Sequence, residues 1–305
     1  MTHALTPSQK RQVIAITGAA IALYIGFRFL PTGTNLSHMD FTVKGGNSIE
    51  FCDPSNPQFI PVVAVRSPVV MTIETASPAV AGKAVNAKIR LVTSTGKHLG
   101  PEDLVVAHTE KLHLLIVDPS LVDYQHVHPK PTGGPGEWAF SFTPKSGGNY
   151  RIFSDFTPLA TGRGLYAHVD LEVAGSVGER PLVSPVLPAV VSNGDGWRFE
   201  LVARNAAIKA GSVAELSLIV SRADGGEITL DTVMDAFAHL VAFDVERGGF
   251  AHLHPNETDI SKPLKGIRPT LSFKVTIPRA GRYVIWAQFS VQGRERFVPF
   301  WIDVT

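Results

Sequence analysis

Cysteine is nearly absent from the chain: Cys52 is the single one in 305 residues. No intrachain disulfide can form, and neither a Cys-based zinc site nor an iron–sulfur cluster can be built. In its "EFCDP" setting Cys52 reads as a small apolar residue. Charge is scarce too, at 18% of residues, and balances to a formal +1. Without a Lys/Arg run, the chain lacks the electrostatic footprint of a nucleic-acid binder. The Gly-x-Ser-x-Gly elbow, the P-loop, the dinucleotide fingerprint and His-Glu-x-x-His are all missing. The carboxylates are scattered, with no acid/base couple among them, and the chain reads as non-enzymatic.

What is present is a folding composition, 44% hydrophobic, with 22 prolines and 27 glycines that imply many turns and favour short strands. "TPSQ" at 6–9 is a helix start, with Thr6 as N-cap, Pro7 at the first helical position and Gln9 as capping-box partner. Lys10 and Arg11 precede an 18-residue apolar run, residues 13–30, whose one charge is Arg28. That run predicts an uncleaved transmembrane anchor, since a signal peptide has a shorter apolar region and a small-x-small cleavage site. The two cations place the N-terminus in the cytoplasm and the bulk of the chain outside the inner membrane, in the periplasm. Residues 31–68 read as an irregular connector. Its apolar "FIPVVAV" predicts packing on the body or on a partner, through Phe59, Ile60, Val62, Val63 and Val65.

Two similar blocks follow, 69–175 and 197–305, joined by a Pro-rich linker at 176–196. "FSFTPKSGGNYRIFSDF" at 140–156 matches "FKVTIPRAGRYVIWAQF" at 273–289, and "YQHVHP" at 124–129 matches "FAHLHP" at 250–255. Each block holds about seven short alternating strands and no amphipathic helix, which predicts two tandem antiparallel β-sandwiches in a mainly β protein. Trp138, Trp197, Trp286 and Trp301 fall within strand patterns and read as packing residues.

Both copies read His-x12-His-x-His-Pro: His113, His126 and His128, then His239, His252 and His254. A hairpin turning at Pro119–Ser120 sets His113 opposite His126, and one at Val245–Glu246 sets His239 opposite His252. Residues two apart on a strand share a face, so each triplet converges. Three neutral imidazoles can hold copper or zinc. His108 is a candidate fourth ligand in the first block, with Met234, a soft donor, at the matching position in the second. The alternative is packing: Leu115, Val117, Tyr124, Val241, Phe243 and Phe250 share that face, and the histidines can be half-buried spacers. Asp118, Asp123 and Asp244 read as turn residues beside the hairpins. His168 could approach the first triplet, but its counterpart is Pro299, against a shared role.

On the paired histidine hairpins followed by "PKSGGNYRIFSDF" and "PRAGRYVIWAQF", the chain resembles bacterial exported two-repeat β-sandwich proteins, of cupredoxin or immunoglobulin kind, suspected of copper handling. The resemblance implies that fold more firmly than it implies metal, and the lack of a cysteine in either block argues against blue-copper electron transfer. The anchor, connector and two outer domains also resemble an accessory subunit of a large bacterial membrane complex, such as a photosynthetic reaction-centre and light-harvesting assembly. The leading expectation is therefore a non-enzymatic subunit that braces or caps an energy-transducing membrane complex, with protein subunits and the membrane as partners. Its rival is a free-standing periplasmic copper- or zinc-binding protein, and a surface-tethered hydrolase comes third.

Overall fold

The computed structural model describes residues 6–28, 57–182, 187–192, 196–205 and 207–305; Cys52 lies outside them. Helix α1 spans Pro7–Arg28. Its start carries the expected capping box: Gln9 N–H donates to Thr6 Oγ1 at 3.3 Å, and Thr6 N–H donates to Gln9 Oε1 at 2.9 Å. Val13, Ile14, Ile16, Ile21, Leu23 and Ile25 are solvent-exposed along it. The expected span over 13–30 is helical as far as Arg28, while Phe29 and Leu30 lie outside the described residues. Among the described residues no helix is long and apolar enough to cross a membrane. The first turns of α1 carry Ser8, Gln9, Lys10, Arg11 and Gln12, which dilute its apolar character.

Among the described residues, the other regular elements are antiparallel strands and one short 3-10 helix at Pro101–Asp103. The first block contains β1 (Val69–Thr75), β2 (Val85–Thr93), β3 (Leu104–Val105), β4 (Leu112–Val117), β5 (Tyr124–Val127), β6 (Lys130–Pro131), β7 (Glu137–Phe142), β8 (Gly148–Pro158) and β9 (Leu165–Val173). The second contains β10 (Ala189–Ser192), β11 (Trp197–Ala203), β12 (Val213–Arg222), β13 (Ile228–Asp231), β14 (Ala238–Asp244), β15 (Phe250–Leu253), β16 (Leu264–Gly266), β17 (Thr270–Thr276), β18 (Gly281–Val291) and β19 (Arg294–Val304). β10 falls inside the expected linker: "AVVS" supplies an alternating pattern that pairs with β11.

Each block divides its strands between two sheets in the same way. In the first, β1-β2-β7-β6 form one sheet, and β8 gathers β3, β4 and β9 in the other, with β5 on β4. In the second, β10-β11-β12-β17 form one sheet, and β18 gathers β13, β14 and β19, with β15 on β14 and β16 on β13. The two sheets of a block enclose one core, around Ile89, Leu91, Trp138 and Tyr150 in the first and around Phe199, Leu218, Phe273 and Phe289 in the second.

A third core lies between the blocks. Leu115, Val117, Tyr124 and Phe153 of the first meet Val241, Phe243, Phe250, Val284, Trp286 and Trp301 of the second. Burying each large apolar side chain contributes roughly 1.5–3 kcal/mol. β4 is buried at all of its positions and β14 through Phe243, because one face of each looks into its own block and the other into the seam. Strands of the outer sheets, such as β2, alternate buried and exposed. Trp286 Nε1–H donates to Leu121 O across the seam at 3.1 Å, and Arg151 and Arg247 donate to Arg247 O and Asn149 O at 2.8 and 2.6 Å.

The connector closes the same seam. Before reaching β1 it runs along the second block: Phe59 N–H donates to Thr276 O, and Ile60 exchanges both backbone bonds with Phe250. Phe59, Ile60 and Val62 are buried, Phe59 in the second block's core and the other two in the seam. These three side chains therefore pack on the chain itself and are not the expected partner surface, whereas Val63 is exposed and Val65 half-buried. Gly249 permits the crossing: a Cβ there would lie 1.9 Å from Ile60 O, so any side chain would push the connector off.

Candidate metal centres

The histidine hairpins line the seam. β4 and β5 pair with Leu115 opposite His126, and β14 and β15 with Val241 opposite His252. The expected pairings of His113 with His126 and of His239 with His252 are therefore each off by two residues. The turns cause the shift. Asp118 accepts the N–H groups of Ser120, Val122 and Asp123, with Leu121 at φ 66°, which centres that turn one residue later than Pro119–Ser120. Asp244 accepts from Gly248 and Gly249 in the second copy, with Arg247 at φ 52°. A shift of two keeps every side chain on its face. The triplets converge as expected: one ring nitrogen from each of His113, His126 and His128 lies within 4.8 Å of the others, and likewise for His239, His252 and His254.

Hydrogen bonds decide which nitrogens face inward. His113 Nε2 lies 2.9 Å from Ala107 O, and His239 Nε2 lies 2.9 Å from Val233 O. A carbonyl only accepts, so Nε2 carries the proton in both rings and Nδ1 is bare. The carbonyls are held out by tight turns, Ala107 bonded reciprocally to Glu110 and Val233 to Ala236. The central residues of these turns are left-handed without being glycine: His108 and Thr109 at φ 50° and 72°, Met234 and Asp235 at 50° and 58°. Such backbone costs of order 1–3 kcal/mol per residue and concentrates at functional sites.

The middle histidines are fixed from the opposite block. His126 Nδ1 lies 2.9 Å from Gln288 Oε1, and the amide cannot be turned round because Gln288 Nε2 donates to Glu295 Oε1 at 2.7 Å. His252 Nδ1 lies 3.2 Å from Asp155 Oδ2. Nδ1 is thus the protonated nitrogen of both rings, and Nε2 is bare. As a result two lone pairs face each other in each block, His113 Nδ1 and His126 Nε2 at 3.2 Å, His239 Nδ1 and His252 Nε2 at 3.3 Å. Between neutral rings no proton can join them. Two nitrogens bound tetrahedrally at about 2.0–2.1 Å would stand about 3.3 Å apart. The third member of each set, His128 and His254, has a buried Nε2 without a hydrogen-bond partner among the described residues.

Electrostatics keeps the rings neutral. Burial, reinforced by neighbouring histidines, holds His126 and His252 well below the ordinary imidazole range. His239 is lowered to about 4, and His113, His128 and His254 are shifted the same way, in each case chiefly by burial. The Asp155 carboxyl is pushed up by burial, against the pull of His113 and His108.

The two sets form one cluster across the seam, with ring centroids 5.5 Å apart for His126 and His252 and 6.1 Å for His126 and His239. His108 is not a fourth member of the first set. Its left-handed turn carries it across the seam, where it stacks on His254 at 3.7 Å, against 6.4 Å to His113. Met234 occupies the matching turn position in the second repeat and is half-buried. His168 pairs opposite Phe153, as Pro299 does opposite Trp286, and belongs to neither set. Asp118 and Asp123 are buried turn acceptors, Asp123 taking the Tyr150 hydroxyl at 2.7 Å. The sequence reading passed over Asp155 and Gln288, although both sit at one position of the aligned "IFSDF" and "IWAQF" strands, polar among buried neighbours.

Among solved structures the similarities are remote. A membrane-anchored protein of Corynebacterium diphtheriae is 9% identical, over 77% of this chain and 58% of that one, with a TM-score of 0.25. A DUF4785 family protein of Legionella pneumophila is 12% identical, over 78% and 56%, at 0.24. Salmonella alpha-2-macroglobulin is 14% identical, over 79% and 17%, at 0.25. The chain thus spans less than two thirds of the length of each, and overlaps this loose carry no argument about fold or function. No curated protein matches the sequence. One family profile does, described as a domain of unknown function, DUF8832, and it matches twice, at residues 65–175 and 190–305. Those segments are the two blocks that each bring one histidine triplet to the seam, and the chain belongs to the DUF8832 family as a tandem pair of its domains.

Proposed function

We propose that the protein is an extracytoplasmic metal-binding protein, held at the membrane by its N-terminal helix, with two three-histidine centres for copper or zinc. The observation that carries this reading is the pair of bare nitrogens, His113 Nδ1 and His126 Nε2, facing each other at 3.2 Å while their outer nitrogens are committed to Ala107 and Gln288. Outer hydrogen bonds of this kind set ligand tautomers in metal sites. A packing histidine would have its inner nitrogen satisfied as well. Each repeat would be a sandwich of cupredoxin or immunoglobulin kind whose seam-facing sheet supplies the ligands. Neutral imidazoles suit Zn(II) and Cu(II).

Elemental analysis of the protein from gently solubilised membranes tests the reading, with one or two copper or zinc ions per chain expected. Changing His126, His128, His252 and His254 together to alanine should remove them. Full metal content in that variant overturns the proposal.

A second reading, favoured by the exposed apolar side chains of α1, is a bracing subunit of a larger energy-transducing membrane complex, photosynthetic or respiratory. Apolar exposure of that extent calls for lipid or partner helices. Co-elution with a large assembly after mild detergent extraction supports it, and elution as a lone chain counts against it.

A further inference from the structure

The two centres are related by the repeat but are not chemically alike. His126 donates its outer hydrogen bond to Gln288 Oε1, a neutral amide, with the Glu295 carboxylate one link further back. His252 donates the equivalent bond to Asp155, a carboxylate, at 3.2 Å. The contacts are reciprocal, each repeat reaching across the seam to the other's middle histidine, so the difference lies in the charge and not in the architecture. A second asymmetry accompanies it: His108 stacks on His254, while the matching turn residue of the second repeat is Met234.

From this asymmetry we propose that the centre of His239, His252 and His254 is the higher-affinity divalent-cation site, with Asp155 as its positioning residue, and that the centre of His113, His126 and His128 is the weaker. The inference rests on the two-centre reading and deepens it. A carboxylate hydrogen-bonded to the outer nitrogen of a ligand histidine polarises that ring and makes its inner nitrogen a stronger donor. An amide fixes the ring equally well but supplies no charge. Outer partners of this type change metal affinity by about 10–100-fold. The His108 ring holds His254 in place from one side, which lowers the cost of ordering that ligand.

The test is a Zn(II) titration of the full-length, chelator-stripped protein in detergent at neutral pH, read by competition with a chromophoric chelator. Two steps separated by 10–100-fold are expected. His254→Ala should abolish the tight step and His128→Ala the weak one. Asp155→Asn should weaken the tight step until the two merge, and Gln288→Glu should tighten the weak step. The gain in Gln288→Glu cannot come from general damage to the fold. Two steps of equal affinity, loss of the tight step in His128→Ala, or an unmoved tight step in Asp155→Asn would each overturn the inference while leaving both centres standing. Absence of any zinc binding would overturn the two-centre reading with it.

Discussion

Trp286 of the second repeat donates its indole N–H to the carbonyl oxygen of Leu121 in the first, 3.1 Å away, in a part of the seam where both residues are buried. Leu121 is itself left-handed, at φ 66°, so the carbonyl is aimed outward by the turn that Asp118 closes. Trp286→Phe keeps most of the ring in the seam but strands that oxygen. The expected cost is about 1–3 kcal/mol, the penalty for an unsatisfied buried acceptor plus lost ring area. Chemical denaturation should show the midpoint falling with no change in cooperativity, whereas an unchanged midpoint would mean the seam does not contribute to stability.

Tyr124 presents the opposite case. Its hydroxyl is buried without a hydrogen-bond partner among the described residues, and burial raises its pKa well above the ordinary phenol value. The second repeat has Phe250 at the same position. Tyr124→Phe is expected to be neutral or to stabilise by about 1 kcal/mol, since a polar group buried without a partner is removed and the ring contacts with Phe243 and Trp286 remain. A melting temperature lowered by several degrees would show that the hydroxyl has a role this geometry does not reveal.

The histidine cluster makes the metal-free protein acid-sensitive. His239 is held to about 4, and His113, His126, His128, His252 and His254 are lowered by the same burial. Unfolded, these rings titrate near 6.5, so below that pH the unfolded chain binds more protons than the folded one. Stability is therefore full above about 6.5 and lost as pH falls toward 4, by up to about 3 kcal/mol for His239 alone. The raised carboxyls of Asp155 and Asp244 act in the opposite sense, holding protons that the unfolded chain gives up, but they are outnumbered. Denaturation midpoints of chelator-stripped protein should fall between pH 7 and 5, and a flat profile would show that the rings are not shielded from water.

The repeat, the strands and the convergence of each histidine triplet were legible in the sequence because period-two patterning carries them. The register error survived without harm for the same reason, since a slip of two preserves the face. The meeting of the two triplets was less obvious. Its trace lay in "LHLLIV" and "AHLVAF", strands with no polar alternation, as expected when both faces are covered. The course of the connector along the second block could not be read locally, because what holds Ile60 is the backbone of Phe250 and the missing side chain of Gly249. Nor could the placement of His108 opposite the other repeat's triplet, which depends on a left-handed turn in a sequence, "AHTE", with no glycine to announce it.

That connector also sets the order in which the protein can be completed during synthesis. Ile60 leaves the ribosome early, yet the strand edge it binds at Phe250 is made 190 residues later. The first repeat emerges with its own core complete while Leu115, Val117 and Phe153 still look out from an uncovered face. For the time needed to translate the second repeat, at about 5–20 residues per second, the nascent chain displays that apolar sheet and an unpaired segment together. A chaperone or another nascent copy has its best opportunity to engage the chain in that interval, which ends only when the last strands close the seam.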